Sequence, residues 1–182
     1  MGQEMISYIQ RLEIMAFFSG YPLLYLVILS YAGKEELRTA AKKRLVSLLP
    51  LAYALIGVLY LGLQLRNFYP DYSLKHITSS IQNPLLAGWG LLSIVFFIPA
   101  LSKKPVICLL HSLVFFYFLL KDLYIQITSS SAEKSILKND INVYSDSILL
   151  NIAAFAIMAI LYFLLLSVRK KNKVHFLKNG SL

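Results

Sequence analysis

Apolar residues in this chain fall into five long blocks separated by short polar stretches rich in Lys, Asn, Ser and Asp. A hydrocarbon core about 30 Å thick is crossed by roughly 17–25 apolar residues in a helix. The blocks therefore predict five spanning helices, at about Ile14–Tyr31, Leu45–Leu65, Pro84–Leu101, Pro105–Gln126 and Ile148–Val168. The expected fold is an all-α, polytopic transmembrane bundle. It forms one integral membrane domain over residues 1–182, with a basic tail over 169–182.

Prolines punctuate the pattern. Pro84 and Pro105 open their helices, where a missing N–H costs nothing. "SKKP" (Ser102–Pro105) predicts a tight reversal between the third and fourth spans. Pro22, in "SGYPLL", falls inside the first span and predicts a kink or an interrupted start there. Pro50 is expected in the first turns of the second span and Pro99 near the end of the third. Two hairpins also resemble each other at an offset of 61–62 residues: "YPLLYLVILSYAG" with "NPLLAGWGLLSIV", and the spans that follow them. A parallel repeat of a two-helix unit, as some transporters use, would give this pattern, and so would chance similarity between leucine-rich spans.

Composition agrees with a membrane protein. The chain is 58% hydrophobic and 15% charged, with mean hydropathy +0.65. Soluble domains carry about 45–50% apolar and about 25% charged residues. The net charge of +9 would suggest nucleic acid in a soluble protein, but here the basic residues flank apolar blocks and serve as topology signals. No nucleic-acid partner is expected; the expected partners are the lipid bilayer and other membrane chains or further copies of this one. The bias towards Ile, Lys, Asn, Ser and Tyr suggests a bacterial plasma (inner) membrane. The start, "MGQEMISYIQRLEIMAFF", has no basic leader region or small-residue cleavage site, and Ile6 stands where a myristoylation motif needs Ser or Thr.

Charged residues inside apolar blocks are the first candidates for function. Lys121 and Asp122 lie in "VFFYFLLKDLYIQI" of the fourth span. Pro105 to Leu120 gives roughly 24 Å of helix, so both charges lie near the far boundary of the core rather than its centre. Neighbours on a helix point about 100° apart, so the two serve different surroundings. Glu13, Gln64, Arg66, Gln126 and Asn151 are expected at the same depth, with Asp122–Arg66 and Glu13–Lys121 as plausible ion pairs. Such a set is either a polar belt anchoring helix ends or an outward-facing pocket for a ligand, ion or partner helix.

Cys108 and His111, in "CLLH", share a helix face. They lack further ligands for a metal and an orienting group for nucleophilic catalysis. A single cysteine excludes an intrachain disulfide, and no metal or cofactor is expected. Gly57, Gly62, Gly88 and Gly90, and the run Ala153, Ala154, Ala156 and Ala159, are expected at close helix contacts. The chain shows no HExxH, GxSxG or phosphate-loop motif and no paired intramembrane aspartates. The expected role is thus a non-catalytic subunit or scaffold of a membrane complex. The alternatives are a small transporter or channel with an outward-facing polar pocket, or an intramembrane enzyme.

Lys and Arg alternate across the loops. Twelve fall on the side of the first and third connections and the tail, and five on the other, with Lys121 apart. The richer side is expected to be cytoplasmic, placing the N-terminus outside and the C-terminus inside. A cysteine at position 173 (Lys173→Cys in a Cys108→Ser background) should react with a membrane-impermeant maleimide only after cells are permeabilised. Labelling in intact cells would reverse the orientation.

Overall fold

A computed structural model of the chain describes residues 2–33, 40–128 and 134–179, with side chains described over 8–31, 44–125, 127–128 and 141–168. Among these residues all regular structure is helical. Four segments are long and apolar enough to cross a membrane: Tyr8–Tyr31, Arg44–Phe68, Pro105–Ile125 and Ile141–Val168. A bent pair of shorter helices makes five if it is taken as one span. The all-helical membrane bundle expected from the apolar blocks is the architecture the chain adopts.

The first span consists of two helices, α1 (Gly2–Phe18) and α2 (Tyr21–Gly33). The break falls where Pro22 predicts it. Proline has no N–H to donate to the carbonyl of Phe18, four residues back. α1 ends at that residue, and the chain turns at Ser19 and Gly20. In hydrocarbon no water can take up the freed backbone groups, so protein must do so. α7 (Lys134–Asn179) supplies the partners. The Gly20 N–H donates to Ser147 Oγ at 2.8 Å. Asn151 Nδ2 donates to the Phe17 carbonyl at 3.0 Å and to the Ser147 carbonyl at 2.7 Å. The contact needs glycine, because a Cβ on Gly20 would meet the backbone of Ser147 and Ile148 at 2.6 Å.

α3 (Ala40–Phe68) is longer at both ends than the expected second span. Pro50 sits well inside it rather than in its first turns. The third apolar block departs from a single regular helix. A seven-residue helix, α4 (Leu74–Ser80), meets α5 (Pro84–Leu92) at a bend of 102°. α5 then tightens into a 3₁₀ segment, Ser93–Phe97, and regular structure stops four residues short of Leu101. Pro99 explains the stop: it drives the residue before it out of the helical region, and Ile98 is extended at φ −65°, ψ 129°. The tightening happens where the segment crosses α3 at Gly57, whose missing Cβ leaves room for Ser93 Oγ. At the entry to α4, Asp71 accepts from the Ser73 N–H at 2.9 Å and its hydroxyl at 3.1 Å, which holds this carboxyl below its usual range.

α6 (Pro105–Thr128) matches the expected fourth span closely. α7 does not match the fifth so well. It runs for 46 residues, about 69 Å at about 1.5 Å per residue. Its apolar window opens at Ile141, seven residues before the expected start, and the helix continues through the basic tail to Asn179. No Gly or Pro lies between Lys134 and Asn179 to stop it.

The core is built around aromatic rings. Phe18 stacks on Phe115 at 4.8 Å and meets the edges of Tyr53 and Tyr60 at 5.7 and 5.5 Å. Tyr21 packs on Tyr53 at 4.5 Å. These rings join α1, α2, α3 and α6. Of the glycines expected at helix contacts, Gly57 and Gly90 are there, whereas Gly62 and Gly88 face open space. Of the alanines in α7, Ala154 is buried, and Ala153 and Ala156 are exposed.

Gly20→Ala should therefore lift α1 and α2 off α7 and cost about 1–3 kcal/mol, the usual range for overpacking. Gly62→Ala should stabilise by roughly 0.5–1 kcal/mol, because it removes glycine's entropic cost without a clash. Detergent unfolding curves of the two variants would check this, and equal midpoints would sink the account of the break.

Candidate functional site

Two polar groupings lie where α1 approaches α6, α3 and α4. α1 positions both. Arg11 shares a face with Ile14, Met15 and Phe18, so it points into the bundle. Glu13 is two residues on, about 200° around the helix, and points to the other side.

Arg11 meets Asp122 of α6, Nη2 to Oδ2, at 3.2 Å. Asp122 is buried, while the Arg11 side chain is 37% exposed. Arg11 also lies 5.9 Å from the ring centre of Tyr8. The partner expected for Asp122 was Arg66, but Arg66 is exposed on α3, and the ion pair formed is with Arg11. Lys121 is exposed as well and is not joined to Glu13. Both expected ion pairs are thus replaced by one that uses an arginine counted only as a topology charge. The reason is rotational: a step of one residue on α6 moves the side chain about 100°, so only Asp122 can face α1.

Glu13 and Gln64, by contrast, do converge. They line one pocket with Ile9, Gln10, Asn67, Phe68 and Ser80, of about 340 Å³. Gln10 holds its upper wall in place. Its Nε2 donates to the Ser80 carbonyl at 2.6 Å, and its Oε1 accepts from the Gln82 N–H at 2.9 Å. This pins the α4–α5 bend across α1. One helical turn along from Glu13 and Gln64, Phe17 and Tyr60 pack together, with ring centres 5.5 Å apart.

Asn151 was expected in the same polar set but lies elsewhere. It is fully buried against Phe17, six residues and about 9 Å deeper than Arg11, where it caps the broken helix. The side chain of Gln126 lies outside the described residues.

Cys108 and His111 are both buried in the core. His111 Nε2 faces the Trp89 carbonyl at 2.9 Å, and a carbonyl only accepts, so Nε2 carries the proton. Nδ1 then accepts from the Tyr53 hydroxyl at 2.7 Å. The Trp89 ring stacks on the imidazole at 4.8 Å and 8°, and its Nε1–H donates to the His111 carbonyl at 3.3 Å. Both ring nitrogens are thus committed to holding α5 and α3 against α6. Among the described residues no group of three or more His, Cys, Asp or Glu could hold a metal ion.

Sequence reasoning missed Arg11, Gln10, Asn67, Ser80 and Ser147. A signal for Arg11 existed: it precedes Ile14 by three residues and Phe18 by seven, the spacing of one helix face. No local signal marks Ser80, which reaches α1 only through the α4–α5 bend. Comparison with known proteins returned no matching family model, no similar curated protein and no similar solved structure.

Removing one member of a buried ion pair costs about 3–5 kcal/mol, whereas replacing both with apolar residues is often neutral. With Arg11 partly solvated, Asp122→Ala should cost less, about 1–2 kcal/mol. The double variant Arg11→Leu/Asp122→Leu should be more stable than Asp122→Ala alone. Thermal unfolding in one detergent would measure this, and a double variant at least as unstable as the single would contradict it.

Proposed function

We propose that the protein is a non-catalytic subunit of a membrane complex that seats a partner's transmembrane helix in the groove between α1 and α7. The observation that carries this reading is the exposure of α7. Only 11% of its spanning window is buried, against 50%, 50% and 33% in the other three long spans. Beside it runs an apolar groove of about 390 Å³, lined by Ala16 and Phe17 of α1 and Leu149, Leu150 and Ala153 of α7, with Asp146 at one end. Small side chains let helix backbones approach closely, and such packing drives helix association in lipid, where the hydrophobic effect does not act between helices. On the bias of Lys and Arg, the Asp146 end of the groove lies towards the outside of a bacterial plasma membrane.

The pocket at Glu13 favours a second reading, a small transporter. Beneath it Phe17, Phe18 and Tyr60 fill the bundle. That geometry supports a binding site better than a passage. The engagement of both His111 nitrogens in helix contacts gives no support to an enzyme reading.

Native-membrane purification in mild detergent, followed by intact mass of the assembly, tests the subunit reading. The wild type should carry a second chain in fixed ratio. Ala153→Phe should lose that chain while keeping wild-type helicity and the fluorescence of Trp89, the single tryptophan. Ile160→Phe, away from the groove on exposed α7, should retain it. A wild type that runs alone, or an Ala153→Phe variant that keeps its partner, would overturn the proposal.

A further inference from the structure

The pocket between α1, α3 and the end of α4 is independent of the groove on α7 and has a chemistry of its own. We propose that it is a binding site for a small protonated amine, with the Glu13 carboxylate as the counter-ion for the ammonium group.

Size comes first. About 340 Å³ is far more than the roughly 30 Å³ that one water occupies in the liquid, and far more than a bare metal ion fills. It falls at the lower end of the range for small-molecule sites, about 300–1,000 Å³. The pocket is also pre-formed, because Gln10 bonds to both Ser80 and Gln82 and so fixes the wall that the end of α4 contributes.

Charge comes next. Glu13 lies within the first spanning segment and is half-buried. The nearest arginine along α1, Arg11, is turned away and engaged with Asp122. Arg66 and Lys121 are exposed, and neither forms an ion pair with Glu13. With no ion pair to Glu13 among the described residues, its charge is left for a proton or a bound cation to offset. The lining selects for an organic cation. Gln64 and Asn67 offer amide oxygens to N–H donors, while Ile9 and the ring of Phe68 present apolar surface to a short carbon chain. A cation beside an aromatic face gains further attraction. The volume of the pocket limits the amine to a short body.

The test uses the full-length protein in lipid nanodiscs and follows thermal unfolding at constant ionic strength. Butylammonium chloride is the probe, with sodium butyrate and potassium chloride as controls. A ligand that binds only the folded state raises the midpoint saturably. Butylammonium should do this, and the two controls should not. Glu13→Gln should weaken the apparent affinity at least 10-fold. Asn67→Trp, which fills the exposed rim without entering the core, should do the same and serves if Glu13→Gln does not fold. Asp146→Asn, which alters a carboxylate outside the pocket, should leave binding unchanged. Equal shifts with potassium, no saturation with butylammonium, or undiminished binding in Asn67→Trp would each overturn the proposal. Loss of the partner chain in Ala153→Phe would not affect it, so the two proposals fail separately.

Discussion

A broken helix inside a membrane exposes backbone groups where no water can reach them, and the fold is organised around repairing one such break. Pro22 interrupts the first span at Ser19 and Gly20. Ser147 and Asn151 then bond across from α7 to the Gly20 N–H and the Phe17 carbonyl. The position of α7 follows from that repair. It has to approach the break within hydrogen-bond distance, and Gly20 is what allows the two backbones so close. Once α7 is placed along α1, one side of it is left bare. The apolar groove beside Ala153 is therefore a consequence of how the break is closed.

The same economy appears at the other polar sites. His111 bonds through both ring nitrogens, so a residue that stands out in an apolar span serves to join three helices. The α5 segment is too short to be held by area alone, and its stacking and hydrogen bonds through Trp89 fix it against α6. Arg11 and Asp122 tie α1 to α6. In lipid, where burying apolar side chains between helices brings little gain over burying them in acyl chains, such polar contacts and close packing set the geometry. Glu13 differs from all of these. Its surroundings form a pocket rather than a helix contact.

The apolar blocks, the prolines and the lack of a breaker between Lys134 and Asn179 are local properties, and they were enough to determine an all-helical membrane bundle with a discontinuity before Pro22. α6 could be placed nearly to its ends because Pro105 marks its start and a single apolar run follows. The third block was expected to run on to Leu101, and its stop at Phe97, with Ile98 extended before Pro99, emerged only in the structure. Rotation and pairing were decided only in three dimensions. Arg11 and Glu13 are two residues apart and look equivalent along the chain, yet one faces Asp122 and the other faces a pocket. Asn151 was legible as a polar residue in a span but not as the cap of a helix 134 residues away in sequence. The physical reason is the same in each case. Propensity, hydropathy and breakers act over a turn or two of chain, whereas an ion pair, a backbone cap or a pocket wall depends on which faces of separate helices meet.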